Sequence, residues 1–153
     1  MAAMEKPLVK VRIADHARGL PLPTYMSEGS AGADVHAAVD GDFTIMPGET
    51  ALVPTGLHFE IPEGFELQVR SRSSLALNHS ITLPNSPATI DSDFRGELKV
   101  IMHNLGKKPF SIKRGDRIAQ AVIARVSQAT FAEANELSET KRGNGGLGST
   151  GRE

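Results

Sequence analysis

The chain has 153 residues, a length typical of one domain with a single core. Its 17 Lys and Arg residues nearly balance 18 Asp and Glu residues, and the net charge of −1 excludes a general attraction to nucleic acid. The absence of cysteine excludes disulfide scaffolds, thiolate zinc sites and cysteine nucleophiles. No apolar run approaches the ~20 residues of a membrane span, and no signal-peptide core precedes Arg18. We therefore expect a cytoplasmic protein without membrane or nucleic-acid partners.

Short stretches of alternating apolar and polar residues recur along the chain, at residues 9–13, 57–61 and 65–69. Alternation with a period of two places the apolar side chains on one face of a half-buried strand. Turn sequences rich in Pro and Gly separate such stretches about every 8–12 residues, which is typical of an all-β sandwich or barrel such as a jelly roll.

Helix signals are scarce, and the one predicted helix is a short turn over residues 74–78 with Ser73 or Ser74 as its N-cap. The preceding residues 70–74 are basic and rich in hydroxyl groups. Such a patch can bind an anion, or it can be a solvated strand end with a capping serine. Because strands and helices do not alternate, a doubly wound nucleotide-binding fold is not expected.

Two carboxylates flank Ser92, in the sequence Asp91-Ser92-Asp93. Two side chains at this spacing share a face on a strand, whereas in a turn they diverge. Either carboxylate could orient a water molecule for attack or bind Mg²⁺, which prefers oxygen ligands. The plainer alternative is a surface turn whose Asp side chains bond to nearby backbone.

The strand pattern ends near Gln128, and five of the ten residues from 142 to 151 are glycine. Residues 128–142 span roughly 46 Å if extended, enough to lie across a neighbouring subunit. We therefore expect a β-domain over residues 1–128 and a flexible C-terminal arm over residues 129–153.

The glycine-rich arm matches two nucleotide motifs only superficially. Gly143, Gly145 and Gly148 fit the dinucleotide fingerprint, but that motif needs a helix after it, and only five residues follow Gly148. Ser149 occupies the position of the P-loop lysine. What remains is a strip of backbone N–H groups, hydroxyls and Arg142 that can wrap a phosphate chain. A disordered polar tail has the same composition.

Five segments stand in a specific order along the chain. They are Ala31-Gly32-Ala33-Asp34-Val35, Arg72-Ser73-Ser74-Leu75-Ala76, Asn85 with Ile90-Asp91-Ser92-Asp93-Phe94-Arg95-Gly96-Glu97, Gly115-Asp116-Arg117-Ile118-Ala119-Gln120, and the segment 142–151. Together they resemble the five motifs of the homotrimeric dUTPases. The resemblance extends from about Val9 to Gly151, and five ordered matches are highly specific.

The resemblance implies a jelly-roll-like β-barrel or sandwich of the dUTPase β-clip kind, with one very short helix and a flexible C-terminal arm. It implies a homotrimer whose active sites are shared between subunits. It also implies Mg²⁺-dependent hydrolysis of dUTP to dUMP and pyrophosphate, by attack of water on the α-phosphorus. That reaction keeps uracil out of DNA and supplies dUMP for thymidylate synthesis.

The resemblance assigns roles to single residues. Asp91 corresponds to the general base that holds the attacking water. Asp34 and Gln120 correspond to residues that hold the water shell of the metal ion. Asn85 and the backbone up to Asp91 correspond to a hairpin that reads uracil, and Phe94 to a plate against the deoxyribose. The other expected substrate contacts are Arg72, Ser73, Ser74, Arg142, Leu147, Gly148, Ser149 and Thr150.

Three departures from the family pattern leave alternatives open. Phe94 replaces the usual tyrosine, Leu147 replaces an aromatic that covers uracil at a cost of ~1 kcal/mol of affinity, and Ser71 and Ser74 replace proline and glycine. The serines resemble a dCTP deaminase motif, although that family has Asp-Pro-Gly where this chain has Asp91-Ser92-Asp93. A non-catalytic homologue that binds a nucleotide or a protein partner is the second alternative.

Overall fold

The structure is a computed structural model that describes residues 5–147. Its strands are β1 (Lys10–Ile13), β2 (Thr24–Tyr25), β3 (Ala33–His36), β4 (Phe43–Ile45), β5 (Thr50–Glu60), β6 (Phe65–Arg70), β7 (Ile81–Thr82), β8 (Ala88–Ile90), β9 (Glu97–Asn104), β10 (Phe110–Ile112) and β11 (Arg117–Arg125). A 3₁₀ turn covers Asp15–Ala17, and the helix α1 covers Ser73–His79. Within this described part of the chain, no helix is long and apolar enough to cross a membrane.

The strands form two main antiparallel sheets around one core. One sheet has the order β1-β5-β9-β7 and the other the order β2-β3-β11-β6-β8, while β4 and β10 form a separate pair. Buried side chains of both sheets meet between them, among them Val53 and Leu98 from the first sheet and Val35 and Leu67 from the second. The predicted all-β, jelly-roll-like fold is confirmed, and because the sheets do not close on themselves it is a sandwich.

The period-two alternation predicts the inward faces of β5 and β6 correctly. Leu57 and Phe59 are buried while Glu60 is exposed, and on β6 Leu67 and Val69 are buried. The alternation is weaker in β1, because this strand lies at the edge of its sheet and its last residue, Ile13, is 36% exposed.

The helix lies where the sequence predicts it, but the prediction of a serine N-cap is wrong. The N-cap is Arg72, in an extended conformation and without a side-chain capping hydrogen bond. Neither serine can be the N-cap, because Ser73 and Ser74 already belong to the helix. At the other end, Ser80 adopts a left-handed conformation with φ of 56° and donates its N–H to Ala76 O.

The expected hairpin between Asn85 and Asp91 is also not formed. Strand β7 pairs with β9 in the four-stranded sheet, whereas β8 pairs with β6 in the five-stranded sheet. The connecting segment therefore crosses from one sheet to the other. Ile81 is fully buried and Ile90 packs on the core from the opposite sheet, so both strands are drawn to the same interior from different sides.

Beyond β11 the described chain contains neither strand nor helix, and residues 125–144 are exposed. Two large apolar side chains in this segment are almost fully accessible, with Phe131 at 95% and Leu137 at 88%. The division into a domain and an arm stays a prediction.

Gly56 places a bulge in β5, where the register against β9 shifts between Pro54 and Leu57. Its φ is +65°, and a Cβ built there would overlap the Cβ of Ala17 in the 3₁₀ turn. Its N–H donates to Glu97 Oε1 at 2.9 Å, and its carbonyl accepts from Ala14 N at 2.8 Å. The position thus requires glycine for both conformation and space.

We expect Gly56→Ala to destabilise the fold through left-handed strain of about 1–2 kcal/mol and a further overpacking cost of about 1–3 kcal/mol. Gly41→Ala is the matched control, because Gly41 has φ of +70° but nothing within 4 Å of an added Cβ. Denaturant unfolding compares the two. Equal losses would show that the contact with Ala17 is unimportant.

Candidate functional site

A row of polar side chains crosses the outer face of the five-stranded sheet. Gln120 on β11 lies opposite Asp34 on β3 and opposite Arg70 on β6. Directly opposed residues of antiparallel strands point to the same face, so these three side chains are neighbours. A Cβ at Gly32 would lie 3.2 Å from the Gln120 side chain, so this glycine leaves room for it.

Asp34 is 2% exposed and lies between two arginines. Arg117 Nη1 donates to Asp34 Oδ2 at 3.0 Å, and Arg72 Nε lies 3.2 Å from Oδ1. Arg72 also donates through Nη1 to the carbonyl of Arg117 at 3.1 Å. A buried carboxylate requires such pairing, because an unpaired buried charge costs several kcal/mol.

One oxygen of Asp34 has spare hydrogen-bonding capacity. The Arg72 Nε group is close enough to Oδ1 for an ion pair, but its direction does not make a hydrogen bond, and Oδ1 has no hydrogen-bond partner among residues 5–147. Beside it on β3, burial lowers the pKa of His36, and the nearby arginines lower it further against the effect of Asp34. The imidazole is therefore neutral at pH 7. The Oδ1 atom of Asp34, without a hydrogen-bond partner in the described part of the chain, leaves the cluster able to accept one more hydrogen bond.

Asp91 does not join this cluster. It follows β8, whose last residue Ile90 pairs with Leu67, so Asp91 lies at the Glu66 end of β6. Arg72 follows the other end of the same strand. At about 3.3 Å per residue, the six residues from Glu66 to Arg72 span roughly 20 Å.

Asp91 instead lines a cleft of about 1020 Å³. The cleft wall contains the carboxylates of Asp91, Asp93, Glu63 and Glu66 and the guanidinium groups of Arg95 and Arg125. The Asp91 carboxylate is exposed and makes no hydrogen bond or ion pair with any residue that the structure describes. It is free to accept a hydrogen bond from water. Because carboxylates outnumber guanidinium groups here, the cleft by itself does not favour a polyanionic ligand.

Phe94 lies in the turn that follows Asp91 and presents part of its ring to solvent, at 43% exposure. The ring packs over the backbone of Gly96, where an added Cβ would overlap it. The absence of a side chain at Gly96 thus leaves the space that the Phe94 ring occupies.

Among the described residues, the side chains of the remaining predicted residues make no hydrogen bond or ion pair with either group. Asn85 is exposed in the loop before β8, and Ser73 and Ser74 are exposed at the start of α1. In the arm, Arg142 Nε donates to Gly145 O at 2.7 Å, and Leu147 is fully exposed. The predicted contacts Gly148, Ser149 and Thr150 lie outside the described residues.

Two arginines of the site have no role in the sequence interpretation. Arg117 pairs with Asp34, and Arg95 donates to carbonyls of the Asp91 turn. Both residues lie inside the five quoted segments, and this position was the only feature of the sequence that could have marked them as site residues. Their partners are distant in sequence or belong to the backbone, and spacing does not reveal such contacts.

The chemistry of these donors bears on metal binding. Among the described residues, no group of three or more His, Cys, Asp or Glu side chains could hold a metal ion. Asp34 and Gln120 supply one free carboxylate oxygen and one amide. Such a pair suits the water shell of a hydrated cation, since Mg²⁺ usually keeps several of its waters.

Fold and clusters together define an antiparallel β-sandwich protein with an exposed carboxylate in one cleft and a buried carboxylate between two arginines on the outer face of one sheet. A sequence model of the dUTPase family matches residues 18–151. The chain therefore belongs to the dUTPase family and is a hydrolase.

Relatives cover nearly the whole chain. The deoxyuridine 5'-triphosphate nucleotidohydrolase of Rhizobium etli (strain CIAT 652) is 61% identical over 143 residues, which are 92% of this chain and 91% of that protein. The enzyme of the same name from Caldanaerobacter subterraneus subsp. tengcongensis is 54% identical over 144 residues, 94% of this chain and 97% of its own.

Solved structures share the fold. The dUTPase of Staphylococcus bacteriophage 80alpha with dUPNHPP has a TM-score of 0.85 at 22% identity and covers 94% of this chain and 98% of its own. A mutant dUTPase from phage phi11 of S. aureus, described for its coordination of a structural Mg(II) ion, has a TM-score of 0.75 at 21% identity and covers 84% and 97%. At such identities the likeness concerns the fold alone.

We expect Gly96→Ala to displace the aromatic side chain at position 94, because the added Cβ would overlap the ring. The chain contains no tryptophan, so Phe94→Trp supplies a single fluorescent reporter at this position. Adding Gly96→Ala is expected to shift its emission to the red and to increase quenching by acrylamide. Gly29→Ala is the control, because an added Cβ there meets nothing within 4 Å. Unchanged emission and quenching would disprove the packing role of Gly96.

Proposed function

We propose that this chain hydrolyses dUTP to dUMP and pyrophosphate with Mg²⁺, in a homotrimer whose sites combine residues of neighbouring copies. The observation that carries the proposal is the free Asp91 carboxylate in a cleft, separated along β6 from the cluster that suits phosphate. The 54% and 61% identity to deoxyuridine 5'-triphosphate nucleotidohydrolases supports the substrate. The reaction would keep uracil out of DNA and supply dUMP. The cytoplasmic location stays a prediction.

Asp91 is the general base of the proposed mechanism. Its carboxylate accepts a hydrogen bond from a water molecule and takes the proton as the water oxygen bonds to the α-phosphorus. The bond between that phosphorus and the oxygen bridging to the β-phosphorus breaks, and pyrophosphate leaves with the electron pair. A positioned base of this kind contributes roughly 10²–10⁴-fold to the rate.

Arg72 and Ser73 act on the phosphates. Negative charge grows on the departing pyrophosphate, and a fixed guanidinium and a hydroxyl donor stabilise it most strongly at that stage. Arg72 is held in place by Asp34 at 3.2 Å and by the carbonyl of Arg117 at 3.1 Å, so little reorganisation is needed. The exposed hydroxyl of Ser74 is a further donor.

Asp34 and Gln120 would hold water molecules of the Mg²⁺ ion that accompanies the triphosphate. The free Oδ1 atom of Asp34 and the adjacent amide of Gln120 fit that role. The ion, when bound, neutralises phosphate charge and fixes the conformation of the chain of phosphates.

Uracil is recognised by the backbone of the Asn85-to-Asp91 segment. Strand β8 is the outer strand of its sheet, so one side of its backbone has donors and acceptors free of strand partners. Cytosine presents the inverted donor–acceptor pattern and would leave buried groups unpaired. Phe94 packs against the deoxyribose and disfavours a 2′-hydroxyl.

Completion of the site requires other copies of the chain. The distance along β6 keeps Asp91 of one copy away from its own Arg72, so a neighbouring copy supplies the phosphate cluster. The exposed arm supplies the cover over the bound nucleotide, and its proposed contacts are Arg142, Leu147, Gly148, Ser149 and Thr150.

Turnover of dUTP with Mg²⁺ separates this proposal from its alternatives. Release of ammonia from dCTP would identify a deaminase-like enzyme, and nucleotide binding without turnover would identify a non-catalytic homologue.

We expect Asp91→Asn to lower the turnover of dUTP by roughly 10²–10⁴-fold, the contribution of the base, while binding persists. Pyrophosphate release measures turnover, and calorimetry with the non-hydrolysable analogue dUPNHPP measures binding. Asp93→Asn removes the same charge from the same cleft and is the control. Near-normal turnover in Asp91→Asn would remove Asp91 from the mechanism.

We also expect two inactive variants to restore each other when produced together. Trimers that mix Asp91→Asn copies with Arg72→Ala copies contain one site at which an intact Asp91 meets an intact Arg72. Each variant alone contains none. Absence of recovered turnover in verified mixed trimers would place both residues in a site formed by one chain.

A further inference from the structure

The turn between β8 and β9 carries two groups that must be placed accurately. Residues 91–96 include Asp91 and the Phe94 plate, and the turn is largely exposed. Its own backbone contributes a hydrogen bond from Phe94 N to Asp91 O of 3.2 Å. A single long bond of this kind is a weak restraint on an exposed turn.

The side chain of Arg95 folds back onto this turn. Its Nη1 atom donates to Ser92 O at 2.6 Å and to Phe94 O at 3.1 Å, and it lies 3.5 Å from Phe59 O on β5. Hydrogen bonds from a charged donor are roughly twice as strong as neutral ones. One guanidinium therefore ties the carbonyl groups next to both functional residues to the neighbouring sheet.

Arg95 is itself fixed from β5. The ring of His58 donates through Nδ1 to Arg95 O at 2.9 Å. Strand β5 is paired on both sides, with β1 and with β9, which makes it a rigid support. Within residues 5–147, no carboxylate lies within ion-pair distance of the Arg95 guanidinium, so its contacts are to backbone carbonyls.

We propose that Arg95 is the positioning residue of this site, and that its guanidinium sets the places of Asp91 and Phe94 without contacting the substrate. This inference rests on the proposed hydrolysis of dUTP. A displacement of about 1 Å in a reacting group costs as much as 10²-fold in rate. Loss of the guanidinium therefore lowers kcat through Asp91 and weakens the preference for dUTP over UTP through Phe94.

The test begins with turnover of dUTP by the unaltered protein. Failure at that stage refutes the proposed function itself, so it is distinguished from a failure of the role proposed for Arg95. Arg95→Ala is then expected to lower kcat by about 10²-fold, with KM nearly unchanged and a smaller dUTP-to-UTP preference. Guanidinium ions, well below unfolding concentrations, restore part of the rate, and ammonium ions do not. Arg12→Ala keeps normal kinetics as the control, since Arg12 lines the same small groove as Arg95 but, among the described residues, makes no hydrogen bond or ion pair with the turn 91–96.

Arg95→Lys separates placement from charge. Lysine keeps the charge, but its ammonium group ends a shorter side chain without the planar guanidinium and is more strongly hydrated, so it does not take the place of Nη1 between the carbonyls and kcat stays low. A loss confined to KM that lysine restores would make Arg95 a substrate contact and overturn the proposal. Normal kcat in Arg95→Ala would also overturn it, as would a loss that guanidinium does not rescue. If the alanine variant does not fold, the lysine variant decides: low kcat at normal KM supports the proposal, and normal kcat refutes it.

Discussion

The pairing of β6 with β11 on one side and β8 on the other determines the layout of the whole site. The β6–β11 pairing aligns Gln120 with Arg70, and the pairing of β11 with β3 on its other side aligns Gln120 with Asp34. The β8 pairing places Asp91 beyond the opposite end of β6. Both pairings are held by a core that buries Leu67 and Val69. A shift of one residue would turn these side chains outward, so the register is strongly determined.

Electrostatics follow from this layout. The Arg72 end has a buried carboxylate between two arginines, and one oxygen of that carboxylate has no hydrogen-bond partner among residues 5–147. The Asp91 end is rich in carboxylates, and Asp91 has no side-chain partner within the described part of the chain. Under the proposed function, each end alone would lack a group that a metal-bound triphosphate requires. A site formed between copies would combine the two.

Local patterns in the sequence were sufficient for β1, the end of β5 and β6, and for the class of fold. The alternation around Leu57 and Leu67 reports which side chains are inward, because burial acts on each strand separately. It does not report which sheet a short strand joins, so the segment after Asn85 was wrongly expected to be a hairpin. The predicted serine N-cap was wrong because the helix already begins at Ser73, and residue type alone does not fix the first residue of a helix. The positioning contacts of Arg95 depend on backbone carbonyls, which leave no trace in residue type.

The separation of Asp91 from Arg72 on one rigid strand has a genetic consequence. Under the proposal of shared sites, each chain contributes its Asp91 to one site and its Arg72 to another. A defective chain without both Asp91 and Arg72, encoded by one allele, would therefore disable two of the three sites of any trimer that contains it. Inheritance of such an allele would be partly dominant, and its severity would depend on the ratio of normal to defective product.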